Sequence, residues 1–458
     1  MRNFIKVIFL GLILLIGVIY LAHGITSFPD IAIISAIGFG LGLITFIYPQ
    51  IGIYFVLFAT LLLPEIPIGA VKTGLSGANR EIGIRPEDIL VIAIVFGWFA
   101  RIVAHREKIS IPDNPLNMPI IVLSVIMVVA TLFGILFGDV SLSAGFFYTL
   151  KRLEYFLIFF MVIANINTIK GVKIGVVILL ITAALVALYG TFEHLTLADD
   201  TRISGPFQRS QASILGGFLV MIIFISLSFL LNYRSVFLKI GLSALIGISL
   251  YTVMWTRSRS AYTALSAGLI IFALLIRKPI FIIIPILLLL FMSQLLPEAV
   301  VKSIWSIKAV YSTEEFNPSW SSRVDAWEGA LPYILNRPIL GYGLGAFDLA
   351  WTDSQYVHDA LSMGLIGLGV FVWLIIRLFR NTWSIYKESN EVFNKTLAIG
   401  FVGGLVCLLI QGIAMTNFYT IRTMVPFWFL TGLIMVTLHL SEENKAGKIE
   451  GTEVFDAT

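Results

Sequence analysis

The chain has 458 residues, of which 58% are hydrophobic and only 13% are charged, and its formal net charge is +4. A soluble domain carries about a quarter charged residues, so this composition excludes an ordinary soluble protein. The small positive charge is what Lys and Arg beside membrane spans supply, and it gives no reason to expect a nucleic-acid partner. With Cys407 as its single cysteine the chain cannot form an intramolecular disulfide.

Apolar runs long enough to cross a bilayer, about 20 residues each, recur along the whole chain. Because backbone polar groups in lipid must be satisfied within the segment, these runs are predicted to be helices. The predicted fold is therefore all-α, a polytopic bundle of about 12–14 spans. The first run is predicted to be a retained helix rather than a signal peptide. In chain order the predicted spans are 4–22, 30–47, 50–64, 88–104, 117–138, 146–164, 171–191, 212–231, 236–254, 260–276, 279–296, 359–378, 396–416 and 422–440.

The distribution of basic residues predicts the orientation of the spans. If the N-terminus is cytoplasmic, nearly every short cytoplasmic connection carries Lys or Arg, as the positive-inside rule requires. Both termini are then cytoplasmic. We expect one membrane domain, residues 1–440, with a long outer loop of short amphipathic helices at 297–357 and a short polar tail at 441–458. The tryptophans of that loop, Trp305, Trp320, Trp327 and Trp351, are suited to the membrane interface.

The outer side carries more arginines than this rule favours. A charged side chain within the bilayer costs at least about 2.5–3.5 kcal/mol, so arginines at this depth usually have an anionic partner. Guanidinium groups bind phosphate in a bidentate manner, and several together could hold a diphosphate without a metal. The alternative is that each arginine extends to lipid headgroups. The candidates are Arg202, Arg209, Arg257, Arg259 and Arg323.

His358 is a candidate general base. It begins the apolar segment "HDALSMGLIGLGVFVWLII" at the outer end of a predicted span, with Asp359 beside it. A neutral imidazole accepts a proton near neutral pH, and a general base contributes about 10²–10⁴-fold in rate. The alternative is an interfacial histidine that caps the helix and bonds to water.

The remaining motifs are weaker. The segment "GYGLGAF" at 341–347 has glycines but neither a preceding strand nor a following Lys-Ser/Thr, so it predicts a turn rather than a phosphate-binding loop. Glu193 and His194, at an outer helix end, indicate a cap rather than a catalytic pair. A metal site has little support, since the sequence offers no His/Cys ligand set and no acidic pair within a span.

Five motifs in order resemble a known family. They are "RISGPF" from Arg202, "SRSA" from Ser258, "SRVDAWEGA" from Ser322, "RPILGYGLGAF" from Arg337 and "HDALSMGLIGL" from His358. In this order and on this side of the membrane they resemble the O-antigen ligase and polymerase superfamily of integral membrane glycan transferases. The resemblance covers residues from Arg202 to Ile376.

The resemblance implies a metal-independent, inverting glycosyltransferase of the GT-C type that needs no cofactor. Its donor would be a glycan on undecaprenyl diphosphate or a similar polyprenyl carrier in the outer leaflet. His358 would activate the acceptor hydroxyl, and Arg202 and Arg259 would bind the diphosphate. Arg209, Arg257, Arg323 and Asp359 complete the predicted substrate-binding set. Two residues depart from the family pattern: Asp359 stands where an asparagine is usual, and Met363 where an acidic residue is frequent.

Several functions remain open. A ligase that transfers the glycan to a lipid A-core sugar is favoured over a polymerase that joins repeat units, and a protein-glycan ligase is a third branch. The polar outer loop would act as a lid that excludes water from the donor. From another class, a lipid-linked glycan transporter or a non-catalytic scaffold would also be a multi-pass protein, but a transporter is expected to place charges near mid-membrane. The predicted location is a bacterial or archaeal plasma membrane, with the site on the periplasmic or extracellular side.

Overall fold

A computed structural model describes residues 40, 42–62, 66–72, 79–84, 86–105, 113–197, 201–207, 211–278 and 318–456. Two strands, β1 (Ile66–Lys72) and β2 (Asn79–Ile84), pair as an antiparallel hairpin. The helices are α1 (Pro49–Leu62), α2 (Pro86–His105), α3 (Asn117–Leu136), α4 (Leu142–Asn165), α5 (Ile169–Thr196), α6 (Ala212–Asn232), α7 (Val236–Trp255), α8 (Arg259–Ile276), α9 (Pro318–Asn336), α10 (Leu349–Thr352), α11 (Gln355–Glu388), α12 (Val392–Gln411) and α13 (Ile421–Asp456), with a 3₁₀ turn at Asn417–Tyr419.

The predicted polytopic helical bundle is confirmed. Within the described ranges, eight helices are long and apolar enough to cross a membrane. The hairpin between α1 and α2 is an addition that the sequence reading did not contain. The predicted spans 4–22 and 279–296, most of 30–47, and the loop segment 297–317 lie outside the described residues. The last helix continues to Asp456, so the predicted polar tail begins as an extension of that helix.

The centre of the bundle is formed by α6, α12 and the apolar part of α13, Ile421–Glu443, and most residues in these spans are buried. Small residues allow the first two of these helices to approach closely, as is usual where helices pack in lipid. A Cβ placed on Gly400 would lie 3.0 Å from the Cα of Ile225. Beside it, the Ser228 hydroxyl donates to the Thr396 carbonyl at 2.6 Å. These helices form the support for the segments at their ends.

The segments predicted to be outer come together at one end of the bundle, here called the site end and defined by residues 201–207, 255–259 and 412–420. The Ile203 amide donates to the Trp255 carbonyl at 3.3 Å, and the Gln355 amide to the Gly412 carbonyl at 2.8 Å. At the opposite end, Gln50 donates to the Asn165 carbonyl at 2.8 Å. This separation agrees with the alternation of spans that the sequence predicts.

A break at Gly364 divides α11 into two parts. Gly364 has φ 68° and ψ −176°, which separates a short helix, residues 355–363, from the long apolar part that follows. The glycine turn at 341–345 lies against the break. Its Tyr342 and Gly343 amides donate to the carbonyls of Leu361 and Ser362 at 2.9 and 3.0 Å. The turn thus satisfies the C-terminal carbonyls of the short helix, which carries His358.

Candidate active site

An arginine cluster, formed by Arg202, Arg257, Arg259 and Arg323, lies at the site end. Arg259 is the first residue of α8, whose N-cap Ser258 accepts the Ala261 amide at 3.4 Å. Arg202 donates to the Thr256 carbonyl at 3.0 Å and to the Ser213 hydroxyl at 3.2 Å, which ties the loop at 201–207 to α6 and α7. Arg257 precedes the N-cap of α8 and has a positive φ of 48°. The fifth predicted arginine, Arg209, lies outside the described residues.

The charges of this cluster act on one another. Arg259 is close enough to Arg323 and Arg202 to be repelled by their charges. Desolvation lowers the pKa of Arg202 from its ordinary value, and the charge of Arg257 lowers it further against an opposing effect of Tyr262. An arginine remains protonated at any accessible pH, so the cluster keeps its positive charge and favours an anionic ligand.

The loop that presents Arg202 is held from two sides. The Glu193 carboxylate accepts the amides of Ser204 and Gly205 at 3.0 and 2.5 Å. From α13, Arg422 is only 1% exposed, donates to the Pro206 carbonyl at 2.7 Å and places its guanidinium 4.7 Å from the Phe207 ring centroid. Glu193 therefore holds this loop through its amides. The burial of Arg422 and its bond to Pro206 give it a structural role in this loop.

His358 is buried in the short helix. It is 2% exposed, and its ring meets the Tyr419 ring edge-on, with the centroids 4.7 Å apart and an angle of 84° between the planes. A histidine that capped a helix at the membrane surface and bonded to water would be exposed. The burial of His358 does not fit that alternative, and the N-cap position of α11 is occupied by Ser354.

Asp359 is fully buried and engaged by protein groups. Its carboxylate accepts from the Gln355 amide and the Tyr419 hydroxyl, each at 2.8 Å, and lies 3.4 Å from the Arg152 guanidinium. Burial, with the charge of Asp359, raises the pKa of Tyr419 well above its ordinary value, so this phenol stays protonated and donates. A direct contact between Asp359 and substrate would have to displace these partners.

A chain of hydrogen bonds joins the arginine cluster to the short helix. Gln411 donates to the Ser213 carbonyl at 2.9 Å and to the Ser260 hydroxyl, next to Arg259, at 3.5 Å. Asn417 donates to the Gln411 side chain at 3.1 Å. The adjacent Phe418 amide donates to the Gln355 side chain at 3.0 Å. The cluster and the histidine are therefore parts of one polar region.

The outer loop approaches the same region. Arg323, on α9, lies 3.6 Å from the Asp353 carboxylate, just before the short helix begins. Trp327 donates to the Thr352 carbonyl at 2.8 Å, and Trp351 stacks on Phe347 with ring centroids 5.2 Å apart. These two tryptophans pack within the loop. Trp305 and the side chain of Trp320 lie outside the described residues.

The sequence reading missed the residues that connect these parts: Arg152, Gln355, Gln411, Asn417 and Tyr419. The available signal was a set of Gln, Asn and Arg side chains at the ends of apolar runs, since buried polar groups are almost always hydrogen-bonded. Among the residues that the structure describes, no three His, Cys, Asp or Glu side chains are placed to hold a metal ion.

A comparison with known protein families finds a match over part of the chain. Residues 244–408 match the O-antigen ligase family. The matched segment contains Arg257, Arg259, Arg323 and His358, and it confirms the resemblance to the O-antigen ligase and polymerase superfamily. That family consists of glycosyltransferase-like membrane enzymes that act on lipid-linked glycans. No curated protein matches the chain.

Proposed function

We propose that the protein transfers a glycan from a polyprenyl-diphosphate carrier to an acceptor hydroxyl at the outer face of a bacterial or archaeal plasma membrane. The favoured acceptor is a lipid A-core sugar, as in an O-antigen ligase. The observation that carries the proposal is the arginine cluster, which a chain of hydrogen bonds joins to the short helix that carries the buried His358. Such a cluster suits a diphosphate, and an imidazole suits the removal of a proton from a hydroxyl.

In the proposed reaction, Arg202 and Arg259 bind the donor diphosphate, and Arg257 and Arg323 add positive charge around it. We assign Arg209, which follows Arg202 closely in the sequence, to the same anion. The acceptor oxygen attacks the anomeric carbon from the face opposite the carrier, so the configuration inverts. A carbon–oxygen bond forms as the bond from that carbon to the diphosphate oxygen breaks. The electron pair leaves with the lipid diphosphate, where fixed positive groups stabilise the developing charge.

His358 takes the proton from the acceptor hydroxyl in the same step, which balances the charge at the new bond. Asp359 is assigned a positioning role in place of the predicted substrate contact, because its carboxylate already has three protein partners. No metal or cofactor enters this reaction. The outer loop, whose Arg323 and Trp327 contact residues 352–353, would cover the donor and exclude water.

Transfer by the purified protein tests the proposal. A polyprenyl-diphosphate glycan is offered in detergent with EDTA, either with lipid A-core or with donor alone. We compare wild type with His358→Ala and Arg259→Ala, and use His439→Ala as a matched control, since His439 lies half exposed beside Glu443. Product on lipid A-core that falls about 10²-fold or more in the first two variants but not in the control is expected.

Other outcomes separate the alternatives. Lengthening of the donor glycan in the absence of lipid A-core would identify a polymerase with the same site. If no acceptor receives glycan from wild type, the enzyme proposal is overturned. Uptake of lipid-linked glycan by vesicles that contain the protein would then favour the transporter, for which the buried Arg152–Asp359 pair offers the ionisable groups.

A further inference from the structure

We propose that Tyr419 and Arg152 are positioning residues that fix the ring of His358, and that they act as one unit with Asp359. This inference rests on the proposed function, because it assigns His358 as the base. Three segments far apart in the chain supply the unit: α4, the short helix, and the 3₁₀ turn at Asn417–Tyr419. None of the motifs that resemble the family includes Arg152 or Tyr419.

Arg152 ties the 3₁₀ turn to the short helix. Its guanidinium donates to the Phe418 carbonyl and lies 3.4 Å from the Asp359 carboxylate. Arg152 is 6% exposed and Asp359 is 0% exposed, so water does not screen this ion pair. A buried charge without a partner is strongly unfavourable, so each of the two holds the other in place.

Tyr419 transmits this constraint to His358. The Arg152 guanidinium carbon lies 3.7 Å from the centroid of the Tyr419 ring. The hydroxyl of the same ring donates to Asp359 at 2.8 Å, and its backbone carbonyl accepts from the Tyr155 hydroxyl at 3.1 Å. His358 packs edge-on against this ring at 4.7 Å. Because the tyrosine is fixed at its hydroxyl, its face and its backbone, it forms a rigid wall for the imidazole.

The unit also balances charge around the imidazole. The charged or titratable groups of the neighbouring elements are Asp353, Tyr356 and Asp359 on or next to the short helix, Tyr419 on the 3₁₀ turn, Arg152 and Tyr155 on α4, and Arg323 on α9. Loss of Arg152 removes the charge that keeps Asp359 ionised, so the buried carboxyl should take up a proton rather than remain as an unpaired charge. Loss of the Asp359 charge, by contrast, leaves the guanidinium of Arg152 unopposed, because arginine stays protonated, and favours a neutral imidazole. A side chain that only supported the fold would not produce this directed effect.

The test measures kcat, KM and the pH dependence of kcat for glycan transfer, with the protein in detergent. The variants are Arg152→Met, Asp359→Asn, Tyr419→Phe and Tyr419→Leu. Tyr189→Leu, on the exposed face of α5, and Arg234→Met, exposed at the opposite end, are matched controls. We expect Tyr419→Leu to lower kcat about 10²-fold with little change in KM, since small displacements of a catalytic group have effects of this size. Tyr419→Phe keeps the ring and should retain more activity than Tyr419→Leu.

The pH profiles provide the decisive readout. The acid limb should move to lower pH in Asp359→Asn, because the charge of Arg152 then stands alone. Arg152→Met should lower kcat without that shift, and Arg152→Lys, which keeps the positive charge, should retain more activity than Arg152→Met. A limb that stays in place in Asp359→Asn, or a fall confined to thermal stability or to KM, overturns the inference. If Arg152→Met does not fold, Arg152→Lys and Tyr419→Phe carry the comparison. An active wild type whose His358→Ala variant is also active would instead refute the proposed base.

Discussion

Replacement of Gly364 by alanine should separate the short helix from the turn that holds it. Gly364 has φ 68° and ψ −176°, a region that only glycine occupies readily. A Cβ at this position would lie 2.1 Å from the Ile339 carbonyl oxygen and 2.4 Å from its carbon. Both neighbours are backbone atoms, so the contact cannot be relieved by a side-chain rotation.

The expected cost combines strain and lost hydrogen bonds. A non-glycine residue in this backbone region costs about 1–3 kcal/mol. Moving Ile339 away would also disturb the neighbouring bond from the Leu365 amide to the Pro338 carbonyl, 2.7 Å long, and the bond from Tyr342 to Leu361, 2.9 Å long. Each buried bond contributes about 0.5–1.5 kcal/mol. The sum is a destabilisation of about 2–6 kcal/mol.

The assay compares the temperature of half-unfolding and the transfer activity of Gly364→Ala with those of Gly369→Ala. Gly369 lies in the same helix, and a Cβ there would meet nothing within 4 Å. Alanine at Gly369 should therefore be neutral or stabilising, by up to about 1 kcal/mol. Equal stability of the two variants would refute the claim that the break is held by the glycine contact. Normal activity in a destabilised Gly364→Ala would refute its role in placing His358.

Three further predictions concern the charged groups. Arg422→Met should raise the KM for donor, because the loop that presents Arg202 loses its bond at Pro206; an unchanged KM would show that Glu193 alone holds the loop. Arg259→Lys keeps the charge but not the bidentate geometry, so kcat/KM should fall about tenfold, less than in Arg259→Ala, when both are measured by glycan transfer. Burial raises the pKa of the Asp353 carboxyl above its ordinary value, and this effect outweighs the opposing charge of Arg323. The folded state therefore binds a proton at a pH at which the unfolded chain has already lost it. Asp353→Asn should then be more stable than wild type at neutral pH, and the difference in unfolding temperature should shrink as the pH falls through that raised pKa; a difference that is constant with pH would contradict this.

Much of the fold could be predicted because the thickness of the bilayer sets the length of each apolar run, and these runs are visible in the sequence. The predicted spans 117–138 and 212–231 correspond to α3 (Asn117–Leu136) and α6 (Ala212–Asn232), because an apolar run ends where the hydrocarbon core ends. The break in α11 could not be predicted in this way. Gly364, Gly367 and Gly369 lie in one apolar run, and only the approach of residues 339–342 distinguishes the first from the others.

The arginines of the candidate site could be predicted because they depart from the positive-inside rule. Arg202 and Arg259 were identified because arginines accumulate on the side that the positive-inside rule leaves poor in charge. The pairing of Arg152 with Asp359 joins residues 207 positions apart, and nothing in either segment indicates the other. Likewise, Tyr419 is one of 15 tyrosines, and its role depends on the two charged groups and the histidine that fold against it.

The break at Gly364 and the Arg152–Asp359 pair both contribute to the stability of the short helix. A helix of nine residues, 355–363, is too short to be stable alone, so its ends and its polar face must be satisfied by other segments. The glycine turn satisfies its last carbonyls, the Gly412 carbonyl accepts its first amide, and Arg152 neutralises its buried carboxylate. A histidine on such a helix has little freedom to reorient, which is the property that the proposed base would need to meet its substrate in one geometry.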